Sequence, residues 1–162
     1  MKSEFDLITE DIINNNRFKL LVNESHHGLS RYEHSLRVAK STYKFSKKLG
    51  IDYKSATRAA LLHDFFLDEE YNGLTGIKKG SVHPSLAASN ASKYFDLTDG
   101  ELNAIKTHMF PMTLKAPDSK EALIVTLADK GVSIYECSRF KILMEFTVWM
   151  LFIFNIITFK NN

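Results

Sequence analysis

The chain has 162 residues, 44% of them hydrophobic and 25% charged, which suffices for one buried core and argues against several independent domains. A formal net charge of +2 gives no electrostatic footprint for nucleic acid, so no nucleic-acid partner is expected. The single cysteine, Cys137, excludes an intramolecular disulfide and any zinc site built from several thiolates.

The first stretch, MKSEFDLITEDIINNN, places acidic residues where a secretory signal needs a basic start and an apolar run. Together with the lone cysteine it leads to the expectation of a cytoplasmic protein. Phe5, Ile8, Ile12 and Ile13 recur at helical spacing over residues 5–13. Tyr32, Leu36, Ala39, Tyr43 and Leu49 do the same over 31–49, and Gly50 supplies a C-terminal stop. Asp52 suits the N-cap of a helix over 53–66. A polar, glycine-bearing loop is expected over 67–81, after which His83-Pro84 opens a helix to Tyr94, with the proline in its first turn. Thr98-x-x-Glu101 has the pattern of a capping box for a helix reaching His108. Pro111 and Pro117 bound a loop, and Asp118-x-x-Glu121 reads as the start of a further helix through Leu123, Ile124 and Leu127. Long alternating β-branched runs are absent. The expected fold is an all-α bundle of six to seven helices.

Two acids sit badly in this pattern. Asp64 lies in ALLHDFF, flanked by leucines and phenylalanines, and Asp129 lies in the apolar stretch VTLADKG. A carboxylate is seldom buried without a compensating charge. Four histidines, His34, His63, His83 and His108, fall on four separate predicted helices or helix ends. Imidazoles and carboxylates suit Fe, Mn, Zn and similar divalent ions. A cation held inside a helical bundle by one or two residues per helix would let both acids be buried.

The stretches RYEHSLRVA (31–39), AALLHDFF (59–66), HPSLAA (83–88), IKTH (105–108) and LADK (127–130) resemble the HD-domain superfamily of metal-dependent phosphohydrolases. The resemblance implies a minimal ligand set of His34, His63, Asp64 and Asp129. Members with two further histidines in the interval usually hold two metals, a place filled here by His83 and His108. Asp64 would then bridge two divalent ions, Fe, Mn or similar. His34, His63 and Asp129 would complete one site, and His83 and His108 the other. The chain departs from the family after the His-Asp pair: Phe65-Phe66-Leu67 stands where many members have a small residue, glycine and lysine. Arg31 and Lys130 are the remaining candidates for catalytic and substrate-binding phosphate contacts.

The implied activity is hydrolysis of a phosphate ester or anhydride in a small molecule, a nucleotide or dinucleoside polyphosphate, by metal-activated water. Among short chains of this layout the resemblance is to bacterial diadenosine tetraphosphate hydrolases. Two alternatives belong to other classes: a non-catalytic module that keeps the fold and binds metal or nucleotide, and a di-iron oxygenase. His26 and His27 precede the motif and are expected to matter little. Residues 1–140 are expected to form the catalytic domain, and 141–162 an apolar C-terminal helix. Within it, the 18-residue stretch 142–159 has only Glu145, Thr147, Asn155 and Thr158 outside the apolar set. It would be covered by the bundle, by a second copy in a homodimer, or by membrane contact.

Overall fold

The computed structural model describes the backbone of residues 2–26 and 29–159; the side chains of 25, 26, 77, 140, 143, 145, 146 and 148–159 lie outside that description. Seven α-helices follow one another among the described residues: α1 (Glu4–Asn14), α2 (Asn16–Lys19), α3 (Arg31–Leu49), α4 (Tyr53–Leu62), α5 (Gly76–Tyr94), α6 (Asp99–Thr107) and α7 (Lys120–Phe159). Short 3-10 turns occupy Leu20–Asn23 and Asp68–Tyr71. A two-residue antiparallel ladder, β1 (Ser25–His26) with β2 (Leu29–Ser30), leads directly into α3. The all-α expectation holds.

Local chemistry sets most helix ends. Ser3 with Asp6, Ser30 with Glu33 and Thr98 with Glu101 form reciprocal capping boxes. Asp52 accepts from the backbone N–H groups of Lys54 and Ser55, as its position predicts. Gly50 closes α3 in the left-handed conformation, φ +67°, which a side chain would resist.

Three boundaries differ from the sequence reading. Helix α4 stops at Leu62, so His63-Asp64-Phe65-Phe66 turns away from the helix axis instead of continuing it. Helix α5 starts at Gly76, seven residues before His83, so Pro84 lies inside the helix and not in its first turn. Lys79 helps fix this early turn: its ammonium stacks 4.3 Å from the Tyr71 ring and pairs with Asp68 at 3.3 Å. At α7 the capping oxygen belongs to Ser119, which accepts from Ala122 N–H, while Asp118 instead accepts from the Asn103 amide at 2.6 Å.

Helix α4 is the axis of the bundle. It packs on α1, α3, α5, α6 and α7, and Ala56, Ala59, Ala60, Leu61 and Leu62 are wholly buried. Its alanines let neighbouring backbones come close. Residues 63–66 therefore emerge where α3, α5, α6 and α7 converge. Beyond Glu136 the described side chains of α7 are exposed, including Ile142 and Met144. The helix crosses the expected 140/141 boundary without a break. Most side chains of 142–159 lie outside the described residues, as do the side chain of His26 and all of His27. Among the described residues no helix is long and apolar enough to cross a membrane.

Candidate metal centre

The six predicted ligands arrive from five places in the bundle. His34 sits one turn into α3, aimed by the Ser30 cap. His63 and Asp64 follow the end of α4, His83 lies in α5, His108 just beyond α6, and Asp129 in the third turn of α7. All six converge, and all but His83 are buried. Asp64 occupies the middle. Its Oδ1 is 3.6 Å from His63 Nε2, 3.7 Å from His108 Nε2 and in direct contact with His83 Nε2. Asp129 Oδ1 lies 3.2 Å from His34 Nε2 and 3.6 Å from His63 Nε2. Three overlapping sets bring their donor atoms within 4.8 Å of one another: His34, His63 and Asp64; His63, His108 and Asp129; Asp64, His83 and His108.

The second ring nitrogens explain the orientation. His63 Nδ1 donates to Ala60 C=O and His108 Nδ1 to Ile105 C=O, each at 2.7 Å and each three residues back in its own helix. This turns both Nε2 atoms inward, where neither finds a hydrogen-bond partner among the described residues. A buried polar atom without a partner is costly unless something else meets it. His83 Nδ1 faces the Tyr71 hydroxyl at 3.3 Å. His34 is held differently: Nδ1 donates to the carboxylate of Glu136 at 2.8 Å.

The electrostatics point the same way. Burial would push the Asp64 and Asp129 carboxyls up, but the surrounding histidines hold both well below the usual carboxylate range. Burial disfavours a charged His34, yet its bonds to Asp129 and Glu136 raise it to about 9. His63 is also raised, against burial, by Asp64 and Asp129. His108 is held down to about 3 by burial and by His63 and His83. The two acids thus draw positive charge onto their neighbours, the charge that a divalent cation would supply instead. The donor set, the inward nitrogens and the two buried carboxylates all fit such an ion.

Asp64, His83, His108 and Asp129 line a cavity of about 700 Å³. Its other walls are mainly apolar, formed by Met109, Pro111, Met112 and Ile134, with Lys130 and Ser133 beside Asp129. The Lys130 ammonium donates to His108 C=O at 2.9 Å, and burial lowers its pKa. A separate groove of about 450 Å³, between Phe45 and Leu49 of α3 and Leu127 and Tyr135 of α7, contains none of the six residues.

Arg31 is not brought to this centre. Its guanidinium is buried elsewhere, donating to Phe66 C=O at 2.9 Å and Asp68 at 3.0 Å, and 3.3 Å from Glu24. It stacks 4.1 Å from the Phe66 ring, whose other neighbours are Tyr71 and His83. At the N-terminal end of α3 a side chain leans back along the helix, away from His34. The Phe65-Phe66 departure is a packing device: Phe65 joins Phe18, Tyr94 and Phe95, and Phe66 lies edge-on to His83. Glu136 was not singled out from the sequence. Its signal was spacing, since it follows Asp129 by seven residues, two helical turns along the same face.

Residues 31–131 match the family model described as "HD domain". Two proteins named ribonuclease Y, from Mycoplasma capricolum subsp. capricolum and Mycoplasma mycoides subsp. mycoides SC, are each 32% identical to this chain over 124 residues. The match covers 76% of this chain and 22% of each relative, so the chain spans about a fifth of their length. No solved structure gives a significant match.

Proposed function

Because the chain belongs to the HD domain family, and with it to a superfamily of metal-dependent phosphohydrolases, we propose that it hydrolyses the phosphate ester or anhydride of a small nucleotide or dinucleoside polyphosphate. The observation that carries this reading is the convergence of His34, His63, Asp64, His83, His108 and Asp129, of which Asp64, His83, His108 and Asp129 line an open cavity. One or two divalent ions held there would lower the pKa of bound water and take up charge on phosphoryl oxygens. The chain's own residues supply the rest. Asp64 and Asp129 offer compensating charge, and the Lys130 ammonium, anchored on His108 C=O, is placed to hold a non-bridging oxygen. The methionines, Pro111 and Ile134 offer an apolar wall for a base and restrict water around the phosphate.

The test is metal analysis of the purified protein, then a panel of nucleotides, dinucleoside polyphosphates and a chromogenic phosphodiester assayed with added Mn²⁺. Turnover of a panel member that depends on the metal supports the reading. Tight metal binding with no turnover would place the chain with non-catalytic modules. A mixed-valent iron signal by electron paramagnetic resonance would favour oxygenase chemistry.

The relatives' name motivates a second reading, in which the phosphodiester belongs to RNA. A short oligoribonucleotide in the same panel separates the two. Mononucleotides or dinucleoside polyphosphates are expected to be preferred, because Lys130 is the only lysine or arginine among the described residues that line the cavity.

A further inference from the structure

The four histidines of the centre have four different supports, and only one support carries charge. His63 and His108 lean on backbone carbonyls, and His83 faces a tyrosine hydroxyl. Among the described residues, His34 is the one whose Nδ1, the ring nitrogen turned away from the centre, donates to a carboxylate: Glu136, whose side chain is fully buried. The other Glu136 oxygen lies 3.5 Å from the half-exposed guanidinium of Arg37. An Arg37–Glu136–His34–Asp129 row therefore runs from the surface of α3 into the centre.

We propose that Glu136 is a positioning residue that makes the His34 side of the centre the tighter of its metal-binding sides. The inference rests on the metal-dependent reading above. Two physical effects combine. The hydrogen bond fixes the proton on Nδ1, so that Nε2 is the atom turned toward Asp129. The negative charge behind the ring raises the basicity of that Nε2, which a neutral carbonyl does much less strongly. An ion that touches His34 meets a stronger donor than one that touches only His83 and His108. If two ions bind, the sites load in order, the His34 side first.

Glu136→Gln tests this, because the amide oxygen can still accept from Nδ1 while the charge is gone. Mn²⁺ titration, read by the signal of free Mn²⁺ in electron paramagnetic resonance, needs no substrate and is independent of hydrolysis. The expected result is a loss of roughly 10- to 100-fold in the affinity of the first ion, with any weaker step unchanged. A double-mutant cycle separates positioning from general structural damage: in a His34→Ala background, Glu136→Gln should cost no further affinity. Glu136→Asp, which keeps the charge, provides a folded comparison if the glutamine variant is unstable, and should bind the first ion more tightly than Glu136→Ala. Parent affinity in Glu136→Gln, or an equal loss with and without His34, would overturn the proposal. Absence of phosphohydrolase activity in the parent protein, with its Mn²⁺ binding and the Glu136→Gln loss as expected, would leave this inference standing and count against the functional reading instead.

Discussion

Two buried charge clusters lie within a few residues of each other along the chain, and they are built on opposite principles. Around Arg31, the guanidinium tips meet Glu24, Asp68 and Phe66 C=O, and among the described residues Nε alone is left without a hydrogen-bond partner. Around Asp64, the carboxylates are crowded by imidazoles, yet His63 Nε2 and His108 Nε2 point inward without hydrogen-bond partners among the described residues. The first cluster is largely complete in protein alone and holds the turn after α4 against α3. The second offers clusters of donor atoms that could hold a cation. What distinguishes a structural ion cluster from a binding centre is where the unpaired atoms point, not how much charge is buried.

The comparison is broken most sharply by removing its two central residues. Asp64→Ala should cut metal stoichiometry and reduce activity by more than ~100-fold, a loss above the range seen for residues behind the ligands. The variant should also lose the added thermal stability that bound metal gives the parent. Elemental analysis and calorimetry check both halves. Full metal content in Asp64→Ala would end the site assignment.

Arg31→Ala should show the reverse: metal content retained and stability reduced. Breaking a buried pair costs about 3–5 kcal/mol, and the half-exposed Asp68 moderates this to about 2–3 kcal/mol, measurable by urea denaturation. Arg31→Lys should recover only part of it, because one ammonium cannot reproduce the forked contacts to Asp68 and Phe66. Loss of bound metal in a folded Arg31→Ala protein would erase the distinction between the clusters.

Metal itself should stabilise the fold through the second cluster. At free Mn²⁺ about 100-fold above its dissociation constant, the added stability should be about 2.7 kcal/mol. Chelation should remove it from the parent and leave Asp64→Ala unaffected. A chelator with no effect on parent melting would show that the protein had not bound the ion.

The smallest effect concerns a third cluster, at the surface. Glu4 pairs with Lys47 and accepts from the hydroxyls of Tyr43 and Tyr53, each at 2.7 Å; Lys47, Tyr43 and Tyr53 lower its pKa from 4.5 to about 2. A carboxyl depressed on folding stabilises the fold above its unfolded value, and this is lost as pH falls through the folded value. The contribution of Glu4 should therefore be intact above pH 4.5 and fade toward pH 2. Glu4→Gln should flatten melting temperature against pH in that window; a parallel curve would show that the contact does not hold α1.

Much of the centre was legible because its residues violate the pattern around them. Asp64 and Asp129 stand out as acids inside apolar runs, and the histidines recur one per element. The caps at Asp52 and Thr98 and the stop at Gly50 are local chemistry, and all three are found where they were expected. Less was legible where long-range contacts decide. The start of α5 carries Gly76 and Gly80, poor helix formers, and is supported by Lys79 on Tyr71 and Asp68, which sequence spacing does not reveal. Arg31 looked close to the phosphate because it stands one turn from His34, but side-chain direction in a helix sends it the other way. Glu136 is less legible because its burial depends on His34, from a helix about 100 residues earlier.

The carbonyls that hold His63 and His108 belong to the turn each imidazole terminates. Each ring is therefore restrained by its own short segment of chain, whatever the rest of the bundle does. Freezing a flexible side chain on binding ordinarily costs about 0.5–1.5 kcal/mol, and for these two rings much of that loss is already taken when the helix ends form. The centre therefore meets an arriving ion with two arms set in advance, and the entropy that other ligands lose on capture is for these two largely a cost of folding.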